Sequence, residues 1–181
     1  MSRLSIPTLE ESPEPSRPTL DAVNRQLGTV PNLFRLVASS PAALAALTGL
    51  QGALSKTLDV KTRERIALAV AQVNGCGYCL SAHSYIGLNL ARLTPEEIAR
   101  NRQGSSDDPR AAAAVRFAAE VARQRGHVSD AELAAVRQAG FGDAQIVEIV
   151  ALVAENVFTN FLNEVAQTDI DFPAVPVAEA A

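Results

Sequence analysis

The sequence predicts an all-α protein, and three observations carry that expectation. Apolar residues recur at helical spacing through most of the chain, strand-like alternation is missing, and helix-start signals appear at intervals throughout. No Gly-rich phosphate loop interrupts the pattern. At 181 residues the chain fits one compact domain with a substantial core. The formal charge of −4, with arginines scattered among acids and alanines, leaves no basic footprint for nucleic acid.

Residues 1–18, rich in Pro, Ser and Glu, read as an extended N-terminal arm, and residues 172–181, with Pro173 and Pro176, as a flexible tail. A single domain is expected over 19–171. Ser40-Pro41 supplies an N-cap and a first-turn proline, opening a helix to about Ser55. A second helix runs from about Lys61 to Val73 and stops at Asn74-Gly75; a third starts near Cys76 and ends around Leu90. Thr94-Pro95-Glu96-Glu97 and Ser129-Asp130-Ala131-Glu132 read as capping boxes, each opening a further helix. Asp108-Pro109 opens another, through Arg123, which Gly126 ends. The last long helix starts near Asp143. Its apolar series, Ile146, Ile149, Val150, Val153, Val157, Phe161 and Val165, predicts the central buried element. Asn156, Asn160 and Asn163 mark a polar stripe on it, read as surface or inter-helix hydrogen bonding.

No uninterrupted apolar run reaches the roughly 20 residues that cross a bilayer, and the N-terminus lacks the apolar stretch of a secretory signal. A cytoplasmic setting is the expectation. In a reducing compartment a close cysteine pair points to catalysis or metal binding rather than to a structural staple.

The only two cysteines stand in Cys76-Gly77-Tyr78-Cys79, and His83 follows. In the first turn of a helix, Cys79 meets free backbone N–H groups and the positive end of the helix dipole, both of which favour a thiolate. His83 at i+4 lies on the same face and can take the thiol proton. Glu64 would lie about 18 Å from Cys76 on one straight helix. A hairpin at Asn74-Gly75 changes that: Glu64 is eleven positions before Gly75 and His83 eight after, so an antiparallel pair brings them to similar heights. The expected relay is Glu64–His83–Cys79. Peroxide would oxidise the Cys79 thiolate to a sulfenic acid, Cys76 would condense with it into a disulfide, and an external thiol would reopen the bridge.

Plainer readings stand beside this one. Cys76, Cys79, His83 and Glu64 could supply four zinc ligands, although structural zinc sites usually draw on a second Cys/His pair that this chain lacks. The thiol pair could be inert, Glu64 a surface ion-pair former between Arg63 and Arg65, and Tyr78 a packing residue. His127, after Gly126, reads as solvent-exposed.

The combined spacing, Arg63-Glu64-Arg65-Ile66-Ala67-Leu68-Ala69-Val70 followed by Asn74-Gly75-Cys76-Gly77-Tyr78-Cys79-Leu80-Ser81-Ala82-His83, resembles the alkylhydroperoxidase AhpD-like family of the carboxymuconolactone decarboxylase superfamily. The likeness is strongest from about Pro41 to Ala91. Asn156-x-x-x-Asn160 and Asp169-Ile170-Asp171 resemble its longer, uncharacterised peroxidase-related branch. The resemblance implies a helical bundle forming trimers or hexamers, with Cys79 attacking peroxide, Cys76 resolving, and Glu64 and His83 relaying protons. It further implies peroxide reduction coupled to a lipoylated or other dithiol protein, without haem, flavin or metal as cofactor. Well-characterised members carry a histidine where this chain has Tyr78, and a phenol of pKa about 10 is a poor base near neutrality. Two other readings follow from the superfamily: a carboxymuconolactone decarboxylase-like acid–base enzyme, or a non-catalytic redox sensor that retains the pair.

Overall fold

In a computed structural model that describes residues 2–177, the chain folds into nine α-helices, with no strand among the described residues. In order these are α1 (Arg17–Leu27), α2 (Asn32–Val37), α3 (Pro41–Leu54), α4 (Val60–Asn74), α5 (Gly77–Asn89), α6 (Pro95–Arg102), α7 (Pro109–Arg123), α8 (Asp130–Gln138) and α9 (Asp143–Ala166). The expected all-α class and most helix starts are observed. Ser40, Asp59, Thr94, Asp108 and Ser129 each cap the following helix by accepting a backbone N–H on the side chain. Ser129 and Glu132 form the reciprocal capping box.

At Thr94 only half of the box forms, because the Glu97 carboxylate is engaged elsewhere. It accepts Arg65 Nε at 2.8 Å, Asn101 Nδ2 at 3.1 Å, the Ser106 hydroxyl and the backbone N–H of Asp107 at 2.9 Å. One buried carboxylate thus ties α4, α6 and the loop leading to α7 together.

The centre of the bundle is α4, not α9 as the apolar periodicity suggests. α4 packs against α5, α6, α7 and α9. Ile66 to Ala71 are six consecutive buried residues, the signature of a helix wrapped on all sides. Ala67, Ala69 and Ala71 are small enough to let neighbours close in. α9 is apolar on more of its circumference than the bundle covers. Ile146, Ile149, Leu152 and Val153 enter the main core, whereas Val147, Val150, Phe158, Phe161 and Val165 lie exposed. By length and composition this helix meets the requirement for crossing a membrane, although no uninterrupted apolar run does. Glu148, Glu155 and Glu164, with the Asn and Thr residues between them, break the run. In the bundle α9 serves as a core helix, in contact with α3, α4, α5 and α7.

Both ends of the chain are pinned. Composition suggests an extended arm over 1–18, yet a 3-10 turn at Glu14–Ser16 leads directly into α1, and Pro18 sits in the first helical turn, where its missing N–H costs nothing. Arg17 donates to the carbonyls of Ser12 and Glu10, Arg35 to that of Pro7, Ser16 to that of Ala38, and the Arg3 N–H to that of Ala166. The tail is likewise no free segment over 172–177: Val175 N–H donates to Ser81 Oγ, Arg102 to the Pro176 carbonyl, and Phe172 packs on Tyr78 and Tyr85. Polar side chains at both ends find backbone partners, which composition does not reveal. The rest of the expected flexible tail, 178–181, lies outside the described residues.

Removing the Glu97 carboxylate leaves the half-buried Arg65 and Ser106 without their shared acceptor, so Glu97→Ala should destabilise the fold by about 2 kcal/mol at neutral pH. Burial opposes ionisation of Glu97, but its hydrogen bonds to Ser106, Asp107 and Asn101 and the Arg65 charge prevail and hold its pKa at about 2, below the ordinary 4.5. A lowered carboxylate pKa contributes stability that is complete above 4.5 and is lost as pH falls towards 2. The gap in melting temperature between wild type and Glu97→Ala should therefore narrow across that window, as read by calorimetry.

Candidate active site

The site is built on the hairpin between α4 and α5. Gly75 ends α4 in the left-handed region, at φ 68°, where a Cβ is strained. The Cys76 N–H reaches back to the Ala71 carbonyl at 3.0 Å and closes the helix end. Cys76 is then the N-cap of α5, its sulfur accepting the Cys79 N–H at 3.3 Å. The turn is so short that α5 returns directly along α4.

This return brings the expected residues together. His83 Nδ1 and Glu64 Oε2 are 2.8 Å apart, with side chains 23% and 12% exposed. Burial works against a charge on His83. The Glu64 carboxylate, its hydrogen bond and the charge on Cys79 outweigh it, pushing the imidazole up to about 9. With Nδ1 held by Glu64, Nε2 is the ring nitrogen left for other chemistry.

The two sulfurs are buried, Cys76 at 0% and Cys79 at 2% exposure, and both are free thiols. Their proton affinities separate. For Cys79 the neighbouring Cys76 thiol is the largest influence and favours its anion; burial opposes; the His83 charge and the amides of Asn163 and Asn160 add to the first effect. The outcome is about 7, against an ordinary 9.0. The Cys76 thiol is pushed up, first by the adjacent Cys79 and then by burial. At neutral pH the arrangement makes a substantial share of Cys79 thiolate, with a charged His83 acting on it electrostatically and Cys76 as the thiol. Among the described residues no three His, Cys, Asp or Glu side chains converge as metal ligands.

Three contributors escape the sequence motif. Asn163, fully buried on α9, donates Nδ2 to the Cys79 sulfur at 3.3 Å. Asn160, one turn earlier, accepts Asn74 Nδ2 at 2.8 Å. The asparagine stripe is therefore buried throughout, with Asn160 and Asn163 bonding across helices and Asn156 donating to the Leu152 carbonyl of its own helix. Glu155 accepts Gln51 Nε2 at 3.1 Å, its carboxyl raised by burial, and it acts electrostatically on His83. Its signal was available: Glu155 is the only charge between Glu148 and Glu164 in an apolar helix.

Tyr78 packs. Its hydroxyl accepts the Leu33 N–H at 3.1 Å, its ring meets Phe172 edge-on, and burial pushes its pKa up, so it is further from acting as a base than a free phenol. His127 is exposed in the loop before α8.

Replacing His83 by Ala removes the cation beside Cys79. The Cys79 thiolate titration, followed by ultraviolet absorbance, should move from about 7 towards the ordinary thiol range. An unmoved midpoint would detach His83 from the sulfur.

The sequence model of the Carboxymuconolactone decarboxylase family matches residues 41–120. No curated protein matches the chain significantly. Among solved structures, one described as an alkylhydroperoxidase AhpD core, an uncharacterized peroxidase-related protein from Ralstonia eutropha JMP134, is 28% identical. It superposes with a TM-score of 0.83, covering 94% of this chain and 92% of its own. An uncharacterized peroxidase-related protein from Silicibacter sp. TM1040 is 25% identical, with a TM-score of 0.80 over 93% of this chain and 91% of its own. The debrominase Bmp8, solved with 2,3,4-tribromopyrrole, shares the fold at 19% identity and a TM-score of 0.79, covering 94% of each chain.

Proposed function

We propose that this chain, which is similar to AhpD-like proteins of the carboxymuconolactone decarboxylase superfamily, is a thiol-dependent peroxidase, reducing hydrogen peroxide or small organic hydroperoxides through Cys79 and Cys76. The observation that carries the reading is the Glu64–His83 pair at 2.8 Å beside a cysteine whose thiolate form is favoured at neutral pH. The peroxidase-related description of the Ralstonia protein agrees with it. The debrominase shares only the fold, and its substrate is not carried over to this chain.

The chemistry balances on the residues present. The Cys79 thiolate attacks the terminal oxygen of ROOH, the O–O bond breaks, and the departing alkoxide takes a proton from the His83 imidazolium as ROH. Cys79 is left as a sulfenic acid. The Cys76 sulfur then attacks Cys79, a disulfide forms, and the sulfenic hydroxyl leaves as water with the Cys76 proton. A dithiol, carried on a lipoylated or other protein partner, restores both thiols by exchange and leaves as its own disulfide. Glu64 holds the ring and offsets its charge throughout. The side open to a small oxidant is that of His83 and Glu64, which retain partial exposure. The reduced pair requires a reducing compartment, and the reading assigns the protein to the cytoplasm.

The resemblance to AhpD-like proteins also suggests a homotrimer or hexamer. The uncovered α9 flank, with Phe158, Phe161 and Val165, suits contact with a second copy.

In stopped-flow assays with peroxide and a dithiol, Cys79→Ser should lower turnover by on the order of 10³-fold or more. Cys76→Ser should accumulate a sulfenic acid that dimedone traps. Peroxide consumption indifferent to both substitutions would end the peroxidase reading. On light scattering, Phe161→Glu should shift any oligomer towards the monomer; a monomeric wild type would refute the assembly.

A further inference from the structure

The three buried asparagines of α9 recur at helical spacing, and one of them, Asn163, reaches the Cys79 sulfur directly while Asn160 lies one turn earlier. Asn160 and Asn163 are 0% and 2% exposed. Burying a polar amide atom without a partner is costly, and neither amide is fully partnered: among the described residues, Asn160 Nδ2 and Asn163 Oδ1 have no partner within hydrogen-bond range. The orientation of Asn160 follows from its neighbour. Asn74 donates to Asn160 Oδ1 at 2.8 Å, which leaves Nδ2 as the free donor. Asn163 Nδ2 points at Cys79 Sγ from 3.3 Å.

A neutral thiol is a weak acceptor. Two amide donors in the core beside one are poorly matched to it and well matched to a thiolate.

We propose that Asn163, supported by Asn160, is a positioning residue whose amide N–H holds the Cys79 sulfur as an anion facing His83, so that the thiolate is bound between α9 and the α4–α5 hairpin. The effect of both amides on the sulfur runs in the same direction, favouring its ionised form. Asn74, in the last turn of α4, sets the second donor, so the turn that returns α5 also orients α9's contribution. The titratable and charged groups around the sulfur are Cys76, Tyr78 and His83 on or beside α5, Glu64 and Arg63 on α4, Glu155 and Glu164 on α9, and Asp171 in the tail. Apart from Cys76, none of these is a hydrogen-bond donor to Cys79 Sγ, which leaves that role to the amides. The assignment rests on Cys79 being the attacking sulfur, but its test reads that sulfur directly.

The experiment titrates the thiolate of Cys79 by ultraviolet absorbance in the full chain carrying Cys76→Ser, so that one thiol ionises, with melting curves for each variant. Asn163→Ala should raise the midpoint enough to lose about tenfold of the thiolate at neutral pH, the effect of one charge-assisted hydrogen bond. Asn163→Asp, equal in size and with its donor replaced by a carboxylate, should raise it further. Asn163→Ser, which keeps a small donor, should lie between Ala and the parent. An unmoved midpoint in either folded Ala or Asp variant overturns the proposal. If the Ala variant does not fold, the Asp variant decides alone. If neither folds, Asn74→Ala, which frees the second donor, must raise the midpoint or the proposal fails. These shifts in the variants, with a wild type that consumes no peroxide, would sink the peroxidase reading and leave this one standing. Turnover with unmoved midpoints would do the reverse.

Discussion

The contact between Glu64 and His83 is the constraint on which the rest of the site depends. It joins residues nineteen positions apart and is reached through Gly75, which takes the left-handed backbone of the turn at the least conformational cost. One residue later Cys76 caps the new helix with its own sulfur. The same two-residue junction therefore ends one helix, starts the next and places the first thiol. A longer connection would separate the carboxylate from the ring, and the imidazole would lose the partner that keeps it charged despite burial.

Burial and charge work against each other here in an instructive way. Water-excluded thiols ordinarily hold their protons more tightly, and Cys76 does so. Cys79 sits as deep yet is shifted the other way, because a neighbouring thiol, an imidazolium and two amides all face it. Two chemically identical groups three residues apart are thereby given opposite proton affinities by their neighbours alone. The fold supports this by giving α4 a buried run in which every second residue is alanine, so that the helices carrying those neighbours approach closely.

The chain ends complete the enclosure. Phe172 packs on Tyr78 and Tyr85, the Asp171 carboxylate accepts the Asn32 N–H, and the Val177 side chain lies 3.5 Å from where a β-carbon on Gly77 would stand. Tyr78 is committed to the same layer through Leu33. In this chain Tyr78, between the cysteines, is part of the wall around the thiols. The N-terminal segment joins that layer at Ser2 and Arg3, which meet Asp169 and the Ala166 carbonyl.

What the sequence determined by itself was local. Capping residues, prolines in first turns and the Asn74-Gly75 break act within a few residues, so the helix starts and the turn were legible. So was the Glu64, Cys76, Cys79 and His83 set, because hairpin geometry ties register directly to residue count. Tertiary structure decided whatever depended on which faces meet. Periodicity shows that α9 has a broad apolar surface, but it cannot say which flank the bundle covers; α4 took the centre because its alanines permit neighbours on every side. Asn160 and Asn163 read as polar stripe residues until α9 crosses the hairpin and turns them onto a sulfur more than 80 positions away. Glu155 and the two chain ends escaped for the same reason: their partners lie far along the chain, and only packing brings them within hydrogen-bond range.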